Sequence, residues 1–413
     1  MAHDSFLTGI DLGSTAVRIV VGQPTETGKV NLIGVAEVPS EGISKGAITS
    51  IEDAVTAIST ALERVERMTG QPVERATVGM NGTHIASQES HGVVAVSRAD
   101  NEIHDDDVER VIEAAQAVAT PPNHEILHII PRTFTVDEQR GIKDPIGMTG
   151  YRLEVDAQII QALSSQVKNL TKCVFRTSVD IDDLVLGVLA GSEAVLTKRQ
   201  KELGVALVDL GGATTSLIVF EEGDVVHTKV LPVGAGHITN DIAIGLRTSI
   251  DIAERLKVEF GTALPNDVGK KEDIGLDEVG GSSSEAVSRR QIAEIIEARL
   301  EEILSLIDKE LQSIDRSGML PAGVVLTGGG AKLPGVVEVA KKEFRLPASI
   351  GYPLDIMTAI DKLNDPSFAT AIGLAYWGAL GGTKGAGGSF LSRFSSVSEV
   401  TGKIQKWFKS LIP

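Results

Sequence analysis

The 413-residue sequence holds one cysteine, Cys173. That rules out a disulfide within the chain and any zinc site built on several thiolates. Cys173 sits in the alternating stretch "KCVFRTSVD" and is expected to be an inert core thiol. Aromatic residues are scarce, at 4%, so the core must be aliphatic and rich in alanine. No apolar run approaches the roughly 20 residues that a membrane-spanning helix needs; "LVLGVLAG" is typical of the longest. Met1 to Ser5 is polar and carries no secretory signal. Positive charge is also short: 39 Lys and Arg face 56 Asp and Glu, a net charge of −17. Nucleic-acid binding depends on basic residues that neutralise phosphates, so this balance argues against a nucleic-acid partner. The expectation is a cytoplasmic protein of a disulfide-poor compartment.

Glycine, by contrast, is abundant. The 43 glycines exceed the usual share of about 7%, and they point to tight turns and close backbone approaches. The length predicts two to four domains or subdomains of about 100–200 residues. Strand and helix patterns alternate, so the class is α/β. Residues 6–38 read as three strands, and residues 50–68 as a helix with Ile51, Val55, Ile58, Leu62 and Val65 on one face. Residues 83–163 have a different texture, with long alternating segments and one helix near Asp105–Ala119; this reads as a small α+β insertion. Then "GVALVDLGGATTSLIVFEEGDVVHTKVLPVG" repeats the strand-turn-strand layout of residues 6–38. Two copies about 200 residues apart predict a duplicated fold. A helical block follows at 238–260, then a polar, acidic, glycine-rich loop at about 265–284 whose expected state is solvated disorder. A long helix is predicted at about 288–314.

Four motifs carry chemistry. In "GIDLGSTAVRIVVG" a strand delivers Asp11, Gly13 permits a tight turn, and Ser14 and Thr15 offer hydroxyl and N–H groups to an anion. Arg18 returns on the next strand and can face the same anion. An ordinary hairpin would also explain this stretch alone. The second copy, "VDLGGATTSLIVF", repeats it with Asp209, Gly211, Gly212, Thr214 and Thr215. Two aspartates on facing hairpins suit a hydrated Mg²⁺, and two turns can grip a triphosphate from both sides. The third motif, Gly328, Gly329 and Gly330 in "VVLTGGGAKLPG", follows a strand and lets backbone lie against a base or ribose. It is neither a dinucleotide fingerprint nor a P-loop. In the fourth, Glu254 and Lys257 share a helix face and can reach a ribose; alone, they would read as a solvated pair. His124 and His128 lie on a predicted strand, where i and i+4 are about 13 Å apart, too far to share a metal ion.

Taken together, these motifs resemble the actin/heat-shock-chaperone/sugar-kinase superfamily, and within it the bacterial cell-division FtsA family. The run from Leu189 to Ala243 is similar to that family's core almost throughout. The resemblance covers residues 6–380. It implies an α/β, actin-like two-domain ATPase fold with a duplicated core and an FtsA-type inserted α+β subdomain. Residues 1–82 and 164–195 would form one large subdomain and 83–163 the insertion. Residues 196–237 and 319–383 would form the second large subdomain, with 238–318 as its smaller partner. ATP with Mg would sit between the halves, with Asp11 and Asp209 reaching the metal through water and Gly236 joining the nucleotide-binding positions. The family polymerises, binds the C-terminal tail of the tubulin-like protein FtsZ, meets later division proteins, and docks on the inner face of the cell membrane at the division site. Arg299 and Glu302 are the positions carried over to the FtsZ surface, though both could equally be the solvent face of a long helix.

Departures from the family pattern bear on activity. Ala16 stands where a lysine is frequent, and Ala213 where glycine is frequent; Arg18 is a possible substitute for the lysine. Where related ATPases place an acid or amide that orients water, before a helix expected near Gly191, this chain is apolar, and Glu193 is the acid nearby. In-line attack by water depends on such a group, so the expectation is ATP binding with slow hydrolysis at best and no catalytic residue.

The segment Ser396–Pro413 follows a glycine-rich linker at 384–395. Val397, Val400, Ile404, Trp407, Phe408 and Leu411 recur at helical spacing beside Lys403, Lys406 and Lys409; Glu399 is the lone acid. This basic amphipathic pattern predicts a membrane-surface helix on anionic lipid. A helix packed on the body or on a protein partner is the alternative. Two other functions share the nucleotide motifs: a PilM-like pilus-assembly adaptor and a small-molecule kinase.

Overall fold

The computed structural model describes residues 6–25, 29–119, 121–269, 271–281 and 286–382. Two sheets share one plan. In the first, strands Val30–Pro39, Ala16–Pro24 and Leu7–Leu12 run antiparallel, and Arg75–Met80 and Asp180–Leu186 then add in parallel. In the second, Asp224–Leu231, Thr215–Glu221 and Val205–Leu210 are antiparallel, followed in parallel by Val324–Thr327 and Ala348–Ile350. The duplication read from the sequence is thus a duplication of sheet topology. A two-residue strand, Met357–Thr358, crosses over from the second half and closes the free edge of the first sheet beside Val30–Pro39.

Both sheets are covered on two faces, and their central strands are accordingly near-continuous runs of apolar residues. Strand Val205–Leu210 is buried except at Asp209. Helix Ile51–Thr69 covers the first sheet. Ser50 caps its start by accepting from Asp53 N–H, and Gly70, at φ 70°, ends it in the left-handed conformation. Its buried face runs through Ala54, Ala57, Ile58, Ala61, Leu62 and Val65, so Ile51 and Val55 lie on the margin. Small residues let the helix axis approach the sheet.

Between the sheets lies a shared core. Helices Gly187–Val195 and Ala369–Gly382 pack against each other and against strands of both halves. A side chain at Gly373 would overlap the Ala190 carbonyl, and one at Gly9 would meet the backbone of Ala371 and Ala375. Glycine is what allows this close packing.

The insertion is a four-stranded antiparallel sheet ordered Ile85–Ala95, Arg152–Leu163, His124–Val136, Gln139–Ile142, with helix Asp105–Ala119 laid across Gly92. Its polar outer face meets the edge strand Asp224–Leu231 of the second sheet, where Lys143 pairs with Asp224. His124 and His128 are on one strand and form no metal cluster; His128 is buried and accepts from Leu186 N–H at 3.0 Å.

Several expectations need correction. Cys173 is buried as expected, but its alternating stretch is the end of helix Ser164–Phe175 and the turn after it. The block at 238–260 is two helices, Ala235–Leu246 and Ile250–Phe260, because Arg247 turns left-handed at φ 53°. The helix expected near Gly191 begins at Gly187. The acidic loop at 265–284 is in part ordered: Asp273–Gly275 pairs with Ala286–Ser288, and Ile274, Leu276 and Val279 are buried in the core under helix Arg289–Ser313.

Candidate functional site

The two hairpin turns face each other across the line between the sheets. In each, four residues separate the last ladder pair, Leu12 with Val17 and Leu210 with Thr215. The first glycine of each turn sits over a carbonyl: a Cβ on Gly13 would stand 2.8 Å from Ala16 O, and one on Gly211 would stand 2.8 Å from Thr214 O. The turns also touch. A Cβ at Gly212 would overlap Thr15 Oγ1. Ser14 is anchored from behind, its Oγ accepting from Gly46 N–H at 3.1 Å.

Asp11 and Asp209 each occupy the penultimate position of a central strand, directly behind its turn. Asp11 accepts from Asn81 Nδ2 at 3.3 Å, and Asp209 from Thr370 Oγ1 at 3.4 Å. These are long bonds from neutral donors. Burial pushes the Asp11 carboxyl up to about 7; Arg18 counteracts this and the Asp209 charge adds to it. Burial also raises Asp209, against the Thr370 hydrogen bond and the Arg18 charge. The two carboxylates therefore sense each other and the same guanidinium. Arg18 Nη2 pairs with Glu37 at 2.8 Å and its guanidinium lies 5.5 Å over the Phe368 ring, so the arginine is held at the rim of the site. Lys362 reaches the same Glu37 at 2.8 Å. Residues 361–370 thus bridge the halves, with Lys362 on the first sheet's Glu37 and Thr370 on the second sheet's Asp209.

Helix Ala235–Leu246 starts on the second turn. Ala235 N–H donates to Gly211 O at 2.8 Å and Gly236 N–H to Gly212 O at 2.7 Å. Gly234 and Gly236 are required there, because side chains at either would meet that turn's carbonyls. Lys257, from the next helix, contacts Ala235 O at 3.4 Å, Thr239 Oγ1 at 2.8 Å and Glu254 at 2.6 Å. The Glu254–Lys257 pair is therefore fastened to the helix that begins at the turn.

Of the three consecutive glycines, only Gly329 faces open space. Gly328 is in the left-handed region at φ 83°, where a side chain would overlap Asp209 Oδ1, and Gly330 packs on Leu210. Thr215 is fully buried and donates to Val233 O at 2.7 Å. The Cβ sides of Gly328 and Gly330 and the hydroxyl of Thr215 are therefore taken up by the site's wall, which leaves only their backbone to meet a ligand.

Glu193 points elsewhere. It pairs with Lys201 at 2.8 Å, and Lys201 lies 4.9 Å over the Phe220 ring. Arg299 and Glu302 lie apart from the site on helix Arg289–Ser313, joined at 2.6 Å. Asn81, Thr370 and Glu37 were not anticipated. Asn81 had a usable signal, an Asn-Gly pair just after the strand that flanks Asp11; Thr370 had none. Val397, Val400, Ile404, Trp407, Phe408, Leu411, Lys403, Lys406 and Lys409, with the linker at 384–395, lie outside the described residues. Among the described residues no three His, Cys, Asp or Glu side chains group as metal ligands, and no helix is long and apolar enough to cross a membrane.

Comparison with known proteins agrees with this architecture. The family model for cell division protein FtsA matches residues 206–373, and that for the SHS2 domain inserted in FtsA matches residues 82–161. Cell division protein FtsA of Pseudomonas aeruginosa is 36% identical over 405 residues, 97% of each chain. That of Bacillus subtilis is 40% identical over 374 residues, 91% of this chain and 83% of the relative. Among solved structures, the PilM–PilN type IV pilus biogenesis complex superposes with a TM-score of 0.68 at 15% identity, covering 91% of this chain and 99% of that one. MreB5 of Spiroplasma citri bound to AMPPNP gives 0.52 at 14% identity, covering 89% and 93%. The fold is that of the actin-like ATPases.

Proposed function

Because the chain belongs to the FtsA family of cell-division proteins, we propose that it is an ATP-binding, self-associating adaptor that anchors FtsZ filaments to the cytoplasmic membrane. The observation that carries the nucleotide part is the pair of matched turns with Asp11 and Asp209 behind them. Asp11 is buried and Asp209 half-buried, their charges repel, and each accepts a long hydrogen bond from a neutral donor. A hydrated Mg²⁺, which keeps several waters and takes few carboxylates, fits such a pair. It would supply the missing positive charge and neutralise phosphate oxygens. Gly13, Ser14 and Thr15 on one side, and Gly211, Gly212 and Thr214 on the other, would offer backbone and hydroxyl donors to the phosphates. Gly236, Glu254 and Lys257 would lie toward the nucleoside, with Gly329 as the open backbone of the triple glycine.

Hydrolysis would be slow. Glu193, the acid that the sequence places nearby, is held by Lys201 and is not free to orient water. Partner binding is assigned to the surface around Arg299 and Glu302, and later division proteins would bind elsewhere on the assembled filament. The basic segment at 396–413 would place the protein on the membrane's inner face. Sequence relatedness over nearly the whole chain favours this reading over the pilus adaptor or the kinase.

The nucleotide part is tested by Asp209→Asn. Wild-type protein should bind a fluorescent ATP analogue with Mg²⁺ and form filaments visible by electron microscopy; the variant should lose at least tenfold in affinity. Equal binding by the variant would remove Asp209 from the site.

A further inference from the structure

Helix Ala235–Leu246 begins on the second turn and, one and a half turns on, reaches the assigned partner surface. There Asp241 takes the Arg299 guanidinium in a two-pronged pair, with Nε donating to Oδ2 at 2.5 Å and Nη2 to Oδ1 at 2.9 Å. Glu302 accepts from Nη1 at 2.6 Å. Two carboxylates thus share one guanidinium, and the group carries a net negative charge. The arginine that would greet an acidic partner is already filled by an acid of its own chain.

We propose that Asp241 is an internal stand-in for the partner's carboxylate: it closes Arg299 until it is displaced, and helix Ala235–Leu246 ties that exchange to the nucleotide turn. This deepens, and rests on, the partner reading given above. Paired Arg–carboxylate forks are among the most geometrically selective contacts in proteins, so a partner acid can use Arg299 fully only by taking Asp241's place. A tethered competitor acts at high effective concentration, which makes the contact an effective brake. Release requires only a small shift of Asp241, and Asp241 moves with its helix. Ala235 and Gly236 are bonded to the turn, Asp241 is about 9 Å further along the axis, and Thr239 between them is gripped by Glu254 and Lys257 at 2.5 and 2.8 Å. A ligand that reshapes the Gly211–Gly212 turn or engages Lys257 therefore acts on the lever that holds Arg299. Three residues beyond Asp241, Ile244 is 76% exposed. The partner that fits is a short segment with a carboxylate beside an apolar side chain.

The test is binding of an FtsZ C-terminal tail peptide to the full chain by fluorescence anisotropy, with and without Mg-ATP. It compares wild type, Asp241→Asn, and Asp241→Asn combined with Arg299→Ala. Freeing a binding-competent state tightens apparent affinity in proportion to the fraction released. Asp241→Asn should bind about five- to tenfold tighter, the gain should vanish in the double variant, and the Mg-ATP dependence of wild type should shrink. Binding by Asp241→Asn equal to or weaker than wild type would show that Asp241 merely supports Arg299, overturning the inference while leaving the partner reading intact. Failure of both wild type and Asp241→Asn to bind would overturn the partner reading and the inference with it.

Discussion

Burial of the Asp11 carboxyl costs stability at neutral pH. Folded, its carboxyl holds a proton to about 7; unfolded, to about 3.9. Between those values the native state binds more protons than the unfolded state. Stability of nucleotide-free protein therefore falls as pH rises through this window and levels off above it. The full shift corresponds to at most about 4 kcal/mol. Asp11→Asn should accordingly raise the nucleotide-free melting temperature at pH 8, flatten the difference between pH 5 and pH 8, and weaken Mg-ATP binding. Calorimetry of both proteins at the two pH values checks this, and a less stable nucleotide-free Asn variant would contradict it. Glu193 gives the opposite case. Its charge is spent on Lys201, so Glu193→Gln should leave any ATPase rate within about twofold while costing about 1–3 kcal/mol of stability by weakening the bond to a part-buried lysine. A rate loss of tenfold or more would return Glu193 to the chemistry.

At the scale of elements, the contact between the two turns is the feature most open to challenge. Gly212 leaves room for Thr15, and a methyl group there would collide with its hydroxyl. Gly212→Ala should cost about 1–3 kcal/mol of stability, and Thr15→Ala in the same chain should restore much of that melting temperature. Lack of rescue would mean that the turns do not work as a facing pair. The turns were legible because a strand, an aspartate and a glycine recur in the same order in both halves, and a doubled pattern says more than either copy. What was not legible depends on neighbours brought in by the fold. Thr215 and Ser14 look alike in sequence, yet one hydroxyl is buried on Val233 O and the other ties the turn to Gly46. Of three adjacent glycines, two serve Asp209 and Leu210, and no local signal separates them from Gly329. The stretch around Cys173 looked alternating because alternation over a few residues cannot be told from a helix face. Ile274, Leu276 and Val279 read as loop because three apolar residues among acids and glycines form no period, and only the long helix above them supplies the burial.

At the scale of the whole molecule, one body would join nucleotide, filament and membrane. The two sheets follow from the duplicated sequence, the insertion interrupts the first half, and the chain matches the FtsA family over nearly its full length. The membrane part rests on the sequence of residues 396–413. Each interfacial lysine contributes about 1 kcal/mol on anionic lipid, and a single such helix binds reversibly. A filament carrying many copies holds on by avidity, which would let nucleotide control anchoring through assembly. The most direct measurement is co-sedimentation with anionic liposomes, with and without Mg-ATP. It compares the full chain, a version ending at Gly388, and the Trp407→Glu, Phe408→Glu double variant. Only the full chain should pellet with lipid, and more strongly with Mg-ATP. Equal pelleting of all three, or none by the full chain under either condition, would contradict this.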